Sequence, residues 1–205
     1  MKVKQRAGIR QSLGFGNPDD ATLGTPRFSF DDRTLTLNRS VCHEVRKLFD
    51  AVLSTNLPDS IRLAIDRLHY ASTRHSALDR LIDAVIGLEA VYLSENQEIA
   101  HRLASRVAAH QEDDPRKRVG LFDQMKAVYA VRSQLLHGSL AELGRAKAIG
   151  PGKQFADKDA LCDFSRDRLR RAIRKLLLQP GLGLKELRAR MDVAAISGKR
   201  FNPTV

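Results

Sequence analysis

Apolar residues recur with helical spacing along most of the chain, from about Ser40 onward. Residues three and four positions apart share one face of a helix, because an α-helix has 3.6 residues per turn. Gly, Pro, Asn, Asp and Ser stand at the ends of the periodic stretches, where they start or stop helices. No strand alternation follows residue 40, so we expect an all-α fold, a bundle of roughly four to six helices. The spacing predicts helices at 40–55, 59–74, 76–94, 97–111, 116–137, 158–178 and 184–195.

The N-terminal region has a different pattern. Residues 1–33 are rich in Gly, Pro, Asp and Arg, which is typical of a flexible arm. The stretch R-F-S-F-D-D-R-T-L-T-L (27–37) alternates apolar and polar residues, so a short β-hairpin is a second interpretation. An isolated hairpin is marginally stable, so it would pack on the helices or be the remnant of a β-rich domain. We assign residues 1–38 to this arm, disordered or a short hairpin, and 39–200 to the helical domain.

Composition indicates what the core consists of and which classes of protein are excluded. Aromatic residues make up 5% of the 205 residues and Trp is absent, so the core should consist of Leu, Ile, Val and Ala. No apolar run approaches the roughly 20 residues of a membrane span, and no apolar segment follows the basic N-terminus as in a secretory signal. We therefore expect a cytoplasmic protein without a membrane partner. Cys42 and Cys162 lack metal-ligand spacing, which indicates reduced, buried residues.

Charge suggests a polyanionic partner. The net charge is +11, which favours nucleic acid first, an anionic membrane far behind, and otherwise a merely basic protein. The stretch F-S-R-D-R-L-R-R-A-I-R-K-L-L-L (164–178) predicts a helix with one apolar and one basic side. A basic side can bind RNA phosphates, or it can simply be solvated. R-K-R (116–118) is a second, weaker indication. The basic side consists of Arg170, Arg171, Arg174 and Lys175, bordered by Arg166 and Arg168.

Two opposite charges fall on the apolar faces of two predicted helices. Glu89 lies one turn from Val85 and from Tyr92. Arg132 lies near the centre of the apolar stripe predicted for its helix, which consists of Leu121, Met125, Val128, Tyr129 and Leu136. A buried charge without a partner costs several kcal/mol, so such groups pair or reach water at a cleft. We expect Glu89 and Arg132 to meet. That pair could serve only to set the register of the helices, or it could orient the guanidinium for chemistry.

A histidine at a predicted helix end adds to this set. His137 precedes Gly138, which suits the left-handed residue that ends a helix. Helix-terminal carbonyls favour protonated histidine, and the ring can turn toward Arg132. A histidine in this position is often only a capping or surface residue. Its combination with Arg132, Ser133 and a buried Glu89 is less common.

These residues resemble the motif of a known superfamily. R-S-Q-L-L-H-G (132–138) has the form Arg, four residues, His, Gly, and D-A-V-I-G-L-E-A-V-Y-L (83–93) and I-A-H-R-L-A-S-R-V-A (99–108) stand upstream. Together they resemble the Apea-like branch of the HEPN superfamily, over roughly residues 76–195. The resemblance implies a HEPN-type helical bundle that usually forms homodimers. For many members it implies a metal-independent endoribonuclease in phage defence, toxin–antitoxin systems or RNA processing.

The resemblance also implies roles for individual residues. Arg132 and His137 match the catalytic pair, and Ser133 stands where many active members have Asn, Asp or His. We interpret His137 as general base or acid, Arg132 as the phosphate clamp, Ser133 as a positioning hydrogen bond and Glu89 as the residue that orients Arg132. RNA products would carry 2′,3′-cyclic phosphate and 5′-hydroxyl ends, and no metal or cofactor is expected. The alternatives are a non-catalytic RNA- or nucleotide-binding module, and a protein-interaction partner for an antitoxin or sensor domain.

Overall fold

The computed structural model describes residues 2–3, 35–36, 39–53, 57–95, 97–136, 149, 154–178 and 183–202. The chain divides into two units, Met1–Asp50 and Ala51–Val205. We describe each unit by itself.

The first unit contains a short pair of strands and most of one helix. Strand β1 (Lys2–Val3) pairs antiparallel with β2 (Leu35–Thr36). Residues 27–34 lie outside the described residues, so the hairpin expected around Asp31 stays a prediction. Helix α1 spans Arg39–Leu53 and crosses the boundary between the units. None of its residues is buried, so Cys42 is exposed and its predicted burial is wrong.

Among the described residues of the second unit lie six further helices, and they confirm the predicted all-α bundle. Each begins and ends within two residues of the range that the apolar spacing predicts, because periodicity and helix caps are local features of the sequence. Ser76 caps one helix by accepting a hydrogen bond from the Asp79 amide, and Asp157 caps another through the Ala160 amide. The helices are α2 (Asp59–Thr73), α3 (Ala77–Tyr92), α4 (Ile99–Gln111), α5 (Pro115–Leu136), α6 (Lys158–Leu178) and α7 (Leu184–Ser197).

Helix α3 is the centre of the bundle. It packs against α2 and α6 on one side and contacts α4 and α5 on the other, and α4 packs against α5 and α7. In the described part of the chain, no helix has the length and apolar character needed to cross a membrane. The apolar side chains of α3, α4, α5, α6 and α7 meet in one core, whose fully buried members include Leu81, Val85, Leu88, Leu103, Val107, Met125, Val128, Leu169 and Met191.

Gly87 allows α3 to approach its neighbours closely. A Cβ atom at this position would lie 2.5 Å from Leu169 Cδ2 in α6 and 3.2 Å from Arg67 Cβ in α2. Carbon atoms normally pack at about 3.5–4.0 Å. A larger residue at the point where α2, α3 and α6 converge, two residues before Glu89, would therefore force its neighbours to shift.

Candidate functional site

The last turns of α5 carry Arg132 to the edge of the core. The expected apolar stripe is found through Leu121, Met125 and Val128, which are buried. Beyond Val128 the buried side of the helix is formed by Val131 and Leu135.

The other side of these turns opens to solvent. Tyr129, Arg132 and Ser133 are half-buried, and Leu136 is 55% exposed although it was predicted to belong to the core. In the last two turns the core covers the side of the helix that carries Val131 and Leu135. The side that carries Arg132 and Leu136 is therefore not covered by the core. Arg132 therefore lies on a partly accessible surface rather than in the sealed interior.

Glu89 and Arg132 meet, as their positions on the two apolar faces predict. The Arg132 guanidinium donates from Nη2 to Glu89 Oε2 at 3.4 Å, a long contact between α5 and α3. The two side chains are 20% and 22% exposed. An ion pair of this exposure is partly screened by solvent, so its main effect is to orient the guanidinium.

Burial dominates the electrostatics of this pair. It raises the pKa of Glu89 above its ordinary value, and the positive charge of Arg132 opposes that rise only in part. Burial and the Glu89 carboxylate also raise the pKa of Tyr129, whose ring centroid lies 5.5 Å from the guanidinium carbon of Arg132. The Arg132 Nε is buried and has no hydrogen-bond partner among the described residues. The site thus offers a partly exposed guanidinium that the Glu89 carboxylate aligns.

Of the two remaining residues of the predicted catalytic set, the structure describes Ser133 but not His137. Ser133 is half-buried and follows Arg132 on α5. His137 and Gly138 lie outside the described residues, so the convergence of His137 on Arg132 stays a prediction.

The basic side predicted for α6 is present. Arg170, Arg171 and Arg174 are exposed, while Leu169, Ala172 and Ile173 on the opposite side are buried. Asp167 lies beside this surface, because Arg170 Nη2 donates to its Oδ1 at 2.6 Å and Arg171 Nε to its Oδ2 at 2.7 Å. Part of the positive charge of α6 is therefore balanced within the helix.

Two basic residues with a predicted RNA-facing role also have structural contacts. Lys175 is half-buried, and its ammonium group donates to the carbonyl oxygen of His110 at 2.6 Å. Burial lowers the pKa of Lys175. In the predicted basic spot 116–118, Arg118 is buried and donates to the carbonyl oxygens of Glu112 and Lys199 at 2.7 Å each. Arg118 therefore joins chain segments and does not contribute to a basic surface.

Sequence reasoning missed a buried arginine that fixes the end of α3. Arg106 on α4 is 2% exposed and forms a bidentate ion pair with Asp192 on α7, at 2.7 and 2.8 Å. It also donates to the carbonyl oxygen of Tyr92 at 2.6 Å. Arg188 on α7 donates to the neighbouring carbonyl oxygens of Val91 and Ala90, at 3.0 and 2.9 Å.

These two guanidiniums satisfy carbonyl groups that the C-terminus of a helix leaves without partners. The turn that carries Glu89 is held in place by that end. Arg106 shares an apolar face with Leu103 and Val107, so the rule that identified Glu89 and Arg132 could have identified it as well.

A buried polar network beside this cluster was also missed. Tyr92 Oη lies 2.7 Å from His110 Nδ1, and the Gln111 amide nitrogen donates to Tyr92 Oη at 3.0 Å. Burial lowers the pKa of His110 to about 3, and the nearby charge of Lys175 acts in the same direction. His110 is therefore neutral, and its Nδ1 shares a hydrogen bond with the Tyr92 hydroxyl. This histidine, which no sequence motif marks, ties α3 to α4.

Within the described residues, no group of three or more His, Cys, Asp or Glu side chains is placed to hold a metal ion. Comparison of the chain with protein-family models, with curated proteins and with solved structures found no match.

Proposed function

We propose that this chain is a metal-independent endoribonuclease of the HEPN type. The observation that supports this most directly is the ion pair between Arg132 and Glu89 at the partly exposed end of α5. A guanidinium that a carboxylate aligns and that stays partly exposed suits a phosphate group. The motif residues Ser133 and His137 follow Arg132 in the order of the Apea-like motif.

The proposed reaction needs two proton transfers and one site of positive charge. The 2′-oxygen of a ribose attacks the adjacent phosphorus, and the bond from phosphorus to the 5′-oxygen of the next nucleotide breaks. A base takes the 2′-hydroxyl proton and an acid protonates the leaving 5′-oxygen, so the products are a 2′,3′-cyclic phosphate and a 5′-hydroxyl. His137 acts as base or acid, because imidazole titrates near neutral pH. Arg132 stabilises the charge on the phosphorane oxygens, Ser133 positions the phosphate and Glu89 orients Arg132.

A homodimer would complete this chemistry. One histidine can perform one of the two transfers well, whereas a two-fold pair supplies a second His137. Support comes from the side of α5 that carries Arg132, where Tyr129 is half-buried and Leu136 is exposed. A second copy of the chain would cover that apolar border. Phage defence and toxin–antitoxin systems are the contexts that the motif resemblance favours.

The basic side of α6 favours RNA as the polyanion and also supports a second candidate function. Arg170, Arg171 and Arg174 stand on one exposed helix face, away from the set around Arg132 in sequence. Such a face binds phosphates without regard to catalysis. A non-catalytic RNA- or nucleotide-binding module with the same fold would use it in the same way.

A cleavage assay separates the two functions. Purified protein is incubated with labelled RNA in EDTA, and the product ends are identified by mass. We expect cleavage by the wild type, loss of cleavage in His137→Ala, and RNA affinity within about twofold of the wild type in that variant. His75→Ala removes an exposed histidine in the connection between α2 and α3, and we expect full activity from this control.

The outcomes decide between the candidates. Equal cleavage by His137→Ala and the wild type would refute the catalytic assignment. RNA binding that weakens steeply with salt, without cleavage by the wild type, would favour the non-catalytic module. Binding to an acidic partner protein without affinity for RNA would favour a role in protein interaction.

A further inference from the structure

Helix α1 carries a wide apolar face that lies exposed. Its apolar side chains recur three and four positions apart, so they fall on one side of the helix. None of the residues of α1 is buried, and Val45 and Phe49 on this side are 56% and 61% exposed. The apolar face consists of Val41, Val45, Leu48, Phe49, Val52 and Leu53.

This face is wider than the seam that a second helix would cover. A seam between two paired helices uses positions alternately three and four residues apart, which form a narrow row. Phe49 and Leu53 lie beside that row, turned about 70° and 110° from its centre. They are the most exposed apolar side chains of α1, at 61% and 64%. A broad, flat apolar surface such as a lipid bilayer covers them together with the row, which on α1 consists of Val41, Val45, Leu48 and Val52.

Positive charge borders the apolar face. Arg39, Arg46 and Leu53 are spaced by seven residues, so they form nearly one line along the edge of the helix beside Phe49. Both arginines are exposed, and neither forms an ion pair with another described residue. Their long side chains can reach lipid phosphates while the apolar face enters the acyl chains. The net charge of +11 adds long-range attraction to an anionic surface.

The acidic residues of α1 leave this edge basic. Glu44 lies at the opposite edge of the apolar face and is half-buried, and Asp50 lies on the polar side of the helix. Lys47 also lies on the polar side and is exposed. The charges of α1 thus complement an anionic surface along the edge that carries Arg39 and Arg46.

This combination is typical of a helix that lies in the interface of a bilayer. Such helices have Phe and Leu on one face and Lys or Arg on the other, and the apolar face enters about 5–10 Å below the headgroups. The 15 residues of α1 extend over about 22 Å. The expectation of no membrane partner depends on the length needed to cross a bilayer, and a helix that lies flat does not need that length.

We infer that α1 binds the surface of an anionic lipid bilayer, with its apolar face among the acyl chains and Arg39 and Arg46 against the lipid phosphates. The bilayer is recognised by its negative headgroup charge and its apolar interior, so any anionic phospholipid satisfies both. This inference is independent of the proposed cleavage reaction, because it uses no residue of α3 or α5.

Flotation with lipid vesicles tests the apolar contact. The wild type should float with vesicles of phosphatidylcholine and phosphatidylserine, and about 10-fold more weakly with phosphatidylcholine alone. Val45→Glu/Phe49→Glu should lower the partition coefficient about 10-fold or more, because it removes apolar contact and adds negative charge. Both residues are exposed, so the variant should fold, and circular dichroism checks this. The matched control is Val193→Glu/Ile196→Glu, which makes the same change at exposed positions of α7 and should float like the wild type.

A second pair of variants tests the basic edge. Arg39→Ala/Arg46→Ala should bind the anionic vesicles about 10-fold more weakly or less, because each cation near such a surface contributes to binding. Lys185→Ala/Lys199→Ala removes two exposed cations at α7 and near its end, so it lowers the net charge equally. We expect this control to bind within about twofold of the wild type, since those cations lie on another helix.

A label on Cys42 shows directly whether α1 contacts the lipid. Cys42 is exposed and stands seven residues before Phe49, on the same edge of the helix. Cys162 is buried, and burial raises the pKa of its thiol to about 11, so a thiol-reactive dye labels Cys42. An environment-sensitive fluorophore at Cys42 should brighten and shift to shorter wavelength when anionic vesicles are added. This measurement uses the unsubstituted chain, so it does not depend on the folding of a variant.

Several outcomes would overturn the inference. Failure of the wild type to float with anionic vesicles is one, and an equal loss in either double variant and its α7 control is another. Flotation with an unchanged label would place the lipid contact on a different surface. If the wild type binds no lipid and Val45→Glu/Phe49→Glu reduces self-association in analytical ultracentrifugation, the apolar face pairs two copies of the chain instead.

Discussion

Replacement of Gly87 by alanine tests how closely α3 approaches its neighbours. The added Cβ would lie 2.5 Å from Cδ2 and 3.0 Å from Cδ1 of Leu169, and 3.2 Å from Arg67 Cβ. Leu169 is fully buried, and both of its methyl groups lie close to the new atom. The Leu169 side chain, or the helix that carries it, must therefore shift.

The expected magnitude is a difference between two opposing effects. Forcing an extra methyl group into a packed core costs about 1–3 kcal/mol. Alanine gains about 0.5–1 kcal/mol over glycine inside a helix. We expect Gly87→Ala to lose about 1–2 kcal/mol of unfolding free energy, the balance of these values.

Gly120 provides the matched control. It lies in α5, and a Cβ there would meet nothing within 4 Å. Gly120→Ala should therefore gain about 0.5–1 kcal/mol, so the two variants should differ by about 1.5–3 kcal/mol. Urea denaturation followed by circular dichroism measures this difference as a shift in midpoint at constant slope.

A second substitution shows whether Leu169 is the cause. Leu169→Ala alone leaves a cavity and should cost about 2–5 kcal/mol. Combined with Gly87→Ala, it should cost clearly less than the sum, because the new methyl group occupies space that the leucine vacated. Equal stability of Gly87→Ala and Gly120→Ala, or strict additivity with Leu169→Ala, would refute the close packing described for this crossing.

Two further predictions concern association and pH. Leu136→Glu should dissociate the proposed dimer in analytical ultracentrifugation and abolish RNA cleavage, whereas Val119→Glu, at an exposed apolar position near the other end of α5, should do neither; a dimer that survives Leu136→Glu would contradict this interface. Because the pKa of His110 is lowered to about 3 in the folded chain, this histidine takes up a proton below about pH 6.5 only when the chain unfolds. Folding stability should therefore fall with decreasing pH, by roughly 2–3 kcal/mol between pH 6.5 and 4.5 from this group. Urea unfolding of His110→Gln should lack that loss, and an identical pH dependence in variant and wild type would contradict it.

The helical elements could be predicted because their determinants are local. Ser76 and Asp157 cap the helices that they were expected to start, and the apolar spacing ends where each helix ends. Features that depend on packing between helices could not be predicted in the same way. From the sequence alone, a glycine in a helix indicates only a weak helix former. Gly87 matters because Leu169, 82 residues later in the chain, packs closely against it. Leu136 keeps the right periodicity, yet the core does not extend to it.

The candidate site could be predicted only in part, for a related reason. The Glu89–Arg132 contact followed from two charges on apolar faces, because desolvation demands a partner. The same rule applied to Arg106 would still not have named Asp192, which is 86 residues away in the sequence. The sequence pattern places Lys175 on a solvated helix face. Its hydrogen-bond partner is a backbone carbonyl group, and a pattern of side chains cannot identify such a partner.

The anchoring of the end of α3 links the far end of the chain to Glu89. Arg188 reaches back 97 residues to the carbonyl oxygen of Val91, and Asp192 orients the guanidinium that holds Tyr92. A truncation that removes α7 would free the last turn of α3, and the carboxylate of Glu89 would then lose its fixed distance to Arg132. Shortened versions of this protein would therefore lose the Glu89–Arg132 geometry although no residue of the Arg132 motif is altered.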